Sequence, residues 1–261
     1  METILLPDGA PIAYHDLGSG PPLLLMHGFT GTARSHLGGL IDELARDYRV
    51  IAPDLRGYGA SRPPARDFPV DFYQRDAADM AALLEQIAPG QVVALGFSDG
   101  AESALVLAAS RPDLLRGVVA WGVAGVISPQ IAAAAQRWLP VSAWGPKRAA
   151  WRAEIVASQG EEMIEPLVAG WATAATAILA SGGDIVYSQA DRISCPALLI
   201  NGDGEVNNLP EDVRRLAARI PTCRLEFVAN SGHSIQDDQP GQLLALMREF
   251  LGELEESRVT S

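Results

Sequence analysis

The pentapeptide Gly96-Phe97-Ser98-Asp99-Gly100 places a serine between two glycines, where one sequence pattern gives way to another. An apolar run, residues 91–95, precedes it, and a helix-like run, residues 101–110, follows it. This is the strand–turn–helix context of a G-x-S-x-G nucleophile elbow, whose sharp turn exposes the serine hydroxyl. A serine hydroxyl is a strong nucleophile only when it is held beside a base. We therefore predict that Ser98 is a catalytic nucleophile.

His233 is the only histidine that follows Ser98, because the other three stand at positions 15, 27 and 36. It lies in the glycine-containing segment Asn230-Ser231-Gly232-His233-Ser234, directly after the last predicted strand. Enzymes with this elbow carry the nucleophile, the acid and the histidine in that chain order. We predict that His233 is the base that takes the Ser98 proton and passes it to the leaving alcohol.

The acid that orients His233 is expected in the loop after the apolar run 197–200. That loop reads Asn201-Gly202-Asp203-Gly204-Glu205. Asp203 and Glu205 are both available, and either carboxylate can accept the Nδ1–H group of the imidazole. The residues by themselves leave both candidates open.

Acyl transfer also needs two N–H donors that stabilise the oxyanion of the tetrahedral intermediate. In elbow enzymes one donor belongs to the residue after the nucleophile, and the other lies in the loop after the third strand. These positions are Asp99 and, in the segment His27-Gly28-Phe29, Phe29. We predict that these two backbone N–H groups form the oxyanion hole, and that His27 and Gly28 shape the loop.

Along the chain, short apolar runs alternate with helical patterns, and these predicted strands and helices position the candidate residues. The middle strands are continuous apolar runs such as Pro22-Leu23-Leu24-Leu25-Met26, which is typical of strands buried on both faces of a parallel sheet. Alternating strands and helices predict an α/β fold. The predicted strands are residues 2–6, 12–17, 23–27, 49–54, 91–97, 115–121, 197–201 and 224–228, and the predicted helices are 35–47, 70–87, 98–110, 211–220 and 239–255.

The alternation stops between about residues 125 and 190, where the chain reads helical and alanine-rich. An insertion of this length between two strands is expected to fold as a helical cap. We therefore predict a core domain of residues 1–124 and 191–261 and a cap of residues 125–190. The cap tryptophans are expected to hold it on the core, with room for one or two to face a cleft. They are Trp138, Trp144, Trp151 and Trp171.

Composition excludes several classes of function. The 261 residues carry a net charge of −12, which argues against binding nucleic acid or an anionic membrane and is compatible with a cationic substrate. The start of the chain lacks a secretory pattern, and no run of about 18 apolar residues predicts a transmembrane helix. With two cysteines and four histidines, none at metal-ligand spacing, we expect a cytoplasmic protein without a metal or cofactor. Its oligomeric state is left open.

Four segments together resemble the α/β-hydrolase family over nearly the whole chain. They are the elbow, His27-Gly28-Phe29, the segment Asp54-Leu55-Arg56-Gly57-Tyr58-Gly59-Ala60-Ser61 and the histidine loop. The resemblance implies a mostly parallel eight-stranded sheet with helices on both faces and a helical cap inserted after strand 6. It also implies a Ser-His-acid triad that needs no cofactor and acts on a small-molecule ester.

A narrower resemblance is to the valacyclovir hydrolase (biphenyl hydrolase-like) branch of that family. It is carried by residues 54–59, 61–64, 66–69, 71–72, 75–77, 98–100 and 121–122. The branch hydrolyses α-amino acid esters, and the resemblance implies that Asp99 binds the substrate ammonium. It favours Glu205 over Asp203 as the acid, because Glu205 stands where the branch carries an aspartate. The chain departs from the branch in that residue type, in the surrounding loop and in the cap, and the cap shapes the substrate pocket.

Asp99 has two interpretations. A carboxylate beside Ser98 opposes the oxyanion by like-charge repulsion, and a substrate ammonium paired with it would remove that penalty. Alternatively, Asp99 only complements the positive end of the helix that starts at Ser98. We expect a serine hydrolase of carboxylic esters, with α-amino acid esters as the sharper hypothesis. The rivals are a C–C bond hydrolase, a lactonase or a perhydrolase on the same triad, or a non-catalytic protein that binds a small ligand.

Overall fold

The computed structural model describes residues 1–88 and 90–259. Its strands are β1 (Glu2–Leu5), β2 (Pro11–Leu17), β3 (Pro22–Met26), β4 (Arg49–Pro53), β5 (Val92–Phe97), β6 (Leu115–Trp121), β7 (Ala197–Gly202) and β8 (Cys223–Val228). They form one sheet in the order β1-β2-β4-β3-β5-β6-β7-β8. β2 is antiparallel to both of its neighbours, and the other neighbouring pairs are parallel. The predicted α/β fold with a mostly parallel eight-stranded sheet is confirmed.

Helices cover both faces of this sheet. They are α1 (Ala33–Leu44), α2 (Phe72–Ile87), α3 (Asp99–Ser110), α4 (Pro129–Gln136), α5 (Ala149–Gln159), α6 (Ile164–Ala180), α7 (Pro210–Ala217), α8 (Ile235–Asp238) and α9 (Pro240–Val259). Successive side chains of a strand point to opposite faces. Leu24 and Met26 of β3 therefore join the apolar cluster that contains α2 and α3, whereas Leu23 and Leu25 join the cluster that contains α1 and α9. This two-sided burial explains the continuous apolar run in β3.

The chain between β6 and β7 is helical. It contains α4, α5 and α6 together with the 3₁₀ turns Val141–Ala143, Pro146–Arg148, Glu161–Met163 and Tyr187–Arg192. Three of the four turns and all three helices fall within residues 125–190, the predicted cap, and the fourth turn ends just beyond it. The exact domain boundaries stay predictions, and residues 89, 260 and 261 of the predicted core lie outside the described residues.

One stretch of the described chain, Glu161–Ala180, is long and apolar enough by composition to cross a membrane. We expected no such stretch, because we counted uninterrupted apolar residues and this one begins with Glu161 and Glu162 and contains Glu165. Half of its most apolar window is buried inside the protein. In this fold the stretch lies over the elbow, where the Trp171 indole N–H of α6 donates a hydrogen bond to Asp99.

Candidate active site

Ser98 lies in the turn between β5 and α3 with a strained backbone, φ 53° and ψ −121°. The glycines on either side allow this turn to pack closely. A Cβ atom on Gly96 would lie 2.4 Å from the Gly100 carbonyl oxygen, and one on Gly100 would lie 2.4 Å from the Met26 carbonyl oxygen. The serine is therefore fixed at the carboxyl end of β5, as a nucleophile elbow requires.

Ser98, His233 and Glu205 form a continuous hydrogen-bonded chain. His233 Nε2 lies 3.0 Å from Ser98 Oγ, and His233 Nδ1 lies 2.5 Å from Glu205 Oε2. The three residues follow β5, β8 and β7, respectively, so the parallel strands bring them to one edge of the sheet. The imidazole lies between a hydroxyl and a carboxylate, the arrangement in which a histidine can take a proton from the hydroxyl.

The structure brings Glu205, and not Asp203, to His233. The Glu205 side chain is fully buried, and its Oε1 accepts the Asn207 N–H group at 2.7 Å. Burial alone would raise its pKa, but hydrogen bonds from His233 and from backbone N–H groups lower the pKa below its usual value. Asp203 is exposed, and its Oδ1 lies 3.4 Å from the Ser231 N–H nitrogen. Glu205 therefore holds a negative charge against the imidazole.

Phe29 and Asp99, the predicted oxyanion-hole residues, both line the cavity that contains Ser98. Within the described chain, neither backbone N–H group donates a hydrogen bond to another protein atom. Both N–H groups are thus free to bind an oxyanion. The structure brings them to the same cavity as the serine.

Two histidines fix the loop that carries Phe29. His27 is fully buried and donates from Nδ1 to the Gly28 carbonyl, while its Nε2 accepts the Leu55 N–H group. Burial lowers its pKa to about 3, so its ring is neutral. The Nδ1 atom of His36 accepts the Gly28 N–H group at 3.2 Å. These contacts give His27 a role in loop shape and leave it outside the Ser98–His233 chain.

The cap also holds this loop. The buried Gln159 of α5 donates from Nε2 to the carbonyls of Thr30 and Gly31, and its Oε1 accepts the Gly59 N–H group. The Trp151 indole N–H donates to the Thr30 hydroxyl at 3.0 Å. The loop with Phe29 is therefore held from the core on one side and from the cap on the other.

The cavity over Ser98 has a volume of about 230 Å³. Several aromatic side chains line it, including Trp138, Trp151 and Trp171 of the cap. Trp144 is not among the lining residues and instead stacks on Trp151, with ring centroids 4.6 Å apart. The cap tryptophans thus include both packing and cavity-facing residues, and three of them face the cavity where the sequence analysis expected one or two.

The ionisable side chains that line this cavity are mostly acidic. Three of its lining residues are carboxylic, namely Asp99, Glu102 and Glu154, and no lysine or arginine is among the described residues that line it. Glu154 is paired with His36 at 2.9 Å, which leaves Asp99 and Glu102 without a cationic partner among the lining residues. Such a wall attracts positive and repels negative ligands.

The Asp99 side chain is buried and held by two donors that the sequence analysis missed. The Tyr73 hydroxyl donates to Oδ1, and the Trp171 indole N–H donates to Oδ2, both at 2.9 Å. Burial raises the pKa of Asp99 to about 6, although these hydrogen bonds favour the charged form. Tyr73 and Trp171 lie 26 and 72 positions away, so no local pattern indicates either contact.

Glu102 is the second carboxyl of this wall that the sequence analysis missed. Its Oε1 accepts the N–H groups of Ala124 and Gly125 at 3.1 and 2.9 Å. Burial raises its pKa to about 8. The sequence holds a usable signal, because residues three positions apart on a helix share a face and Glu102 follows Asp99 by three.

Known proteins share this fold and, at lower identity, parts of this sequence. Residues 23–246 match the model of the alpha/beta hydrolase family. The mouse (Mus musculus) protein named serine hydrolase BPHL is 28% identical over 249 residues, 94% of this chain and 84% of that protein. Its human (Homo sapiens) namesake is 31% identical over 199 residues, 75% of this chain and 67% of that protein. A malate-bound thermophilic esterase from Thermogutta terrifontis superimposes with a TM-score of 0.74 and 26% identity, covering 97% of this chain and 99% of the esterase.

Proposed function

The chain belongs to the alpha/beta hydrolase family, and from that premise we propose that it is a serine hydrolase that cleaves carboxylic esters through an acyl-enzyme intermediate. The observation that carries the proposal is the hydrogen-bonded chain from Ser98 Oγ through His233 to the buried Glu205. Phe29 and Asp99, whose backbone N–H groups donate to no other protein atom within the described chain, line the same cavity. Together these groups supply a nucleophile, a base, an orienting acid and an oxyanion hole.

In the acylation half-reaction, Ser98 Oγ attacks the ester carbonyl carbon while His233 Nε2 takes the hydroxyl proton. Glu205 holds the imidazole in the tautomer that can do so and stabilises the imidazolium that forms. The N–H groups of Phe29 and Asp99 bind the oxyanion of the tetrahedral intermediate. His233 then gives the proton to the leaving alcohol, the C–O bond breaks, and the acyl group remains on Ser98.

In the deacylation half-reaction, water takes the place of the alcohol. His233 removes a proton from the water as its oxygen attacks the acyl carbon. The second tetrahedral intermediate collapses when the imidazolium returns this proton to Ser98 Oγ. The products are the free acid and the original enzyme, so no further reactant is required.

Within this reaction we propose α-amino acid esters as the substrate class. Asp99 is buried in the cavity wall beside Ser98, and its partners Tyr73 and Trp171 are both neutral donors. A carboxylate has about four acceptor positions, so two donors leave room for a substrate ammonium. The cation would also offset the repulsion between Asp99 and the oxyanion. The likeness to the serine hydrolases named BPHL supports the serine hydrolase assignment.

The acidic side chains of the cavity also argue against the C–C bond hydrolase alternative. The C–C bond hydrolase alternative concerns aryl diketone acids, whose carboxylate would enter a cavity that has the Asp99 carboxylate in its wall and no lysine or arginine among its described lining residues. Like charges in a site of low polarity repel strongly. A lactonase or a perhydrolase would use the same three residues, and no described contact favours either.

The test is hydrolysis of two matched benzyl esters of one amino acid, one with a free α-amino group and one N-acetylated. We expect a higher kcat/KM for the free amine and no turnover of either by Ser98→Ala. Equal rates for the two esters would contradict the amino acid ester proposal and leave a general esterase. Full activity of Ser98→Ala would overturn the mechanism.

Labelling by a fluorophosphonate separates an enzyme from a protein that only binds a ligand. An activated serine is expected to react, and labelling should disappear on heating the protein or in Ser98→Ala. A folded protein that resists the probe and cleaves no ester would instead be a binding protein of this family.

A further inference from the structure

Glu102 is a carboxyl in the cavity wall that the proposed mechanism does not use. Its side chain is only 5% exposed and lines the cavity that contains Ser98. One oxygen, Oε1, accepts the N–H groups of Ala124 and Gly125. The other oxygen, Oε2, is buried and has no hydrogen-bond partner among the described residues.

A buried carboxyl oxygen without a partner lowers stability, so its presence calls for an explanation. The two backbone N–H groups account for Oε1 and for the shape of the loop after β6, a role that an amide side chain would fill equally well. They do not account for the second oxygen. Because the side chain lines the cavity, a bound molecule is the partner that this geometry leaves for it.

The charge around Glu102 indicates what kind of partner fits. Asp99 lies one helical turn before it in the same wall, and no lysine or arginine is among the described lining residues. Burial and the nearby Asp99 both raise the pKa of Glu102. A cationic ligand would stabilise the ionised form of Glu102, and its proton would pass to solvent.

We propose, on the basis of the proposed amino acid ester hydrolase function, that Glu102 binds a second amine on the acyl side chain. The preferred substrates are then esters of diamino acids, with the α-ammonium on Asp99 and the side-chain ammonium on Glu102. Side chains three positions apart on a helix have Cβ atoms about 5–6 Å apart, a span that the side chain of lysine or ornithine can bridge.

The proposal is tested with benzyl esters of lysine, norleucine and Nε-acetyl-lysine. Norleucine has the lysine side chain without its amine, and the acetylated ester keeps the nitrogen without its charge. The wild-type protein is expected to cleave the lysine ester with kcat/KM about tenfold or more above the other two, since hydrogen bonds to charged groups are the stronger ones.

Glu102→Gln is the matched variant, because the amide oxygen can still accept the N–H groups of Ala124 and Gly125 and only the acid is lost. We expect its lysine-to-norleucine ratio to fall to about one. Ser103→Ala is the control, since Ser103 is a neighbouring buried residue whose hydroxyl also lacks a partner, but it does not line the cavity. This control should keep the wild-type ratio.

A second measurement needs no variant and uses the norleucine ester as the substrate of the wild-type protein. Pentane-1,5-diamine should inhibit its hydrolysis about tenfold more strongly than pentylamine does. Equal inhibition, or a wild-type lysine-to-norleucine ratio near one, would overturn the role of Glu102 and indicate that a buried water occupies its free oxygen. In that case the norleucine ester would still be cleaved faster than its N-acetylated form. Loss of that preference as well would count against the proposed function itself.

Discussion

Buried carboxyls near Ser98 lie in two different environments, which shift their pKa values in opposite directions. On one side Glu205 faces His233, and its pKa is lower than usual. On the other side burial raises the pKa of Asp99 to about 6 and that of Glu102 to about 8. The carboxyl group of Glu205 is therefore charged at neutral pH, whereas those of Asp99 and Glu102 have pKa values close to neutral pH.

The difference lies in where the compensating charge comes from. Glu205 has an ionisable partner, His233, supplied by the fold itself. Among the described residues, Asp99 accepts side-chain hydrogen bonds only from the neutral donors Tyr73 and Trp171, and the nearby Arg66, whose charge lowers the pKa of Asp99, is already paired with Asp76. Glu102 has two backbone N–H groups on a single oxygen. A buried carboxyl with an internal partner is ready to orient a base, whereas one without a cation gains most from a cationic ligand. This contrast leads to distinct expectations for catalysis, substrate choice, stability and pH dependence.

Removing the nucleophile should abolish the reaction that Glu205 supports through His233 and for which Asp99 and Glu102 select the substrate. Ser98→Ala is expected to lower kcat by about 10⁴-fold or more, because the remaining groups cannot form an acyl-enzyme. The fold should survive, since among the described residues the hydroxyl hydrogen-bonds only to His233, and the strained turn is set by the backbone. Steady-state kinetics and a thermal melt measure the two effects, and a normal melt is the control for folding.

Removing the charge that faces His233 should affect catalysis far more than removing its neighbour in the same loop. Glu205→Gln is expected to lower kcat by about 10²–10⁴-fold, because an amide does not stabilise the imidazolium. Asp203→Asn is the matched control and should stay within about threefold of the wild type, since Asp203 is exposed and contacts only the Ser231 backbone. If the two variants lost activity equally, Glu205 would not be the orienting acid.

Neutralising Asp99 should change substrate choice more than turnover of neutral esters. Asp99→Asn is expected to lower the preference for the free α-amine over the N-acetylated ester by about 10–100-fold, the loss of a charge-assisted contact. The backbone N–H of residue 99 is retained, so the oxyanion hole stays intact. The matched control is Asp113→Asn, an exposed carboxylate paired with Arg111, and it should leave the preference unchanged.

The melting temperature of Asp99→Asn tests whether the charge of Asp99 stabilises the folded protein. The pKa of Asp99 is raised in the folded protein, so its contribution to stability is present at low pH and is lost as pH rises through about 6. Above that pH the charged form is unfavourable, and Asp99→Asn should melt no lower than the wild type. A clear drop in the melting temperature of Asp99→Asn at pH 8 would show that the charge has a structural role instead.

The smallest effect is a pH dependence. The ratio of kcat/KM for the free amine to that for the N-acetylated ester is expected to fall as pH decreases through about 6, because protonated Asp99 no longer attracts an ammonium. Taking a ratio cancels the pH dependence of the catalytic steps that both esters share. A ratio that stays flat between about pH 5 and 7 would contradict an ionised Asp99 as the ammonium site.

Much of the fold follows from local patterns. The continuous apolar runs of the central strands indicate burial on both faces, and β3 packs on both sides of the sheet. The elbow is also local, because a Cβ atom on Gly96 would collide with the carbonyl oxygen of Gly100, four positions later. His233 follows from its position after the last strand. In these cases the deciding physics acts within a few residues of the pattern that reveals it.

The surroundings of the carboxyls depend on contacts between distant segments. Asp203 and Glu205 are two positions apart in one loop, and no rule of spacing decides which of them reaches a histidine 28 positions after Glu205. The donors on Asp99 come from α2 and α6, 26 and 72 positions away. The helix spacing of Asp99 and Glu102 is visible in the sequence, and so is the presence of a cap, but the contacts that hold the two carboxyls are not.

From the sequence alone we could predict the strands of the sheet, the strand–turn–helix geometry at Ser98 and a short set of residues that could assist this serine. These follow from side-chain periodicity, from glycine at close backbone contacts and from the chain order of polar residues after strands. Only the tertiary structure decided which carboxyl faces His233 and which carboxyls face the cavity without a cation. The reason is that the charge state of a buried carboxyl depends on desolvation and on partners brought from distant segments, and both arise only when the chain has folded.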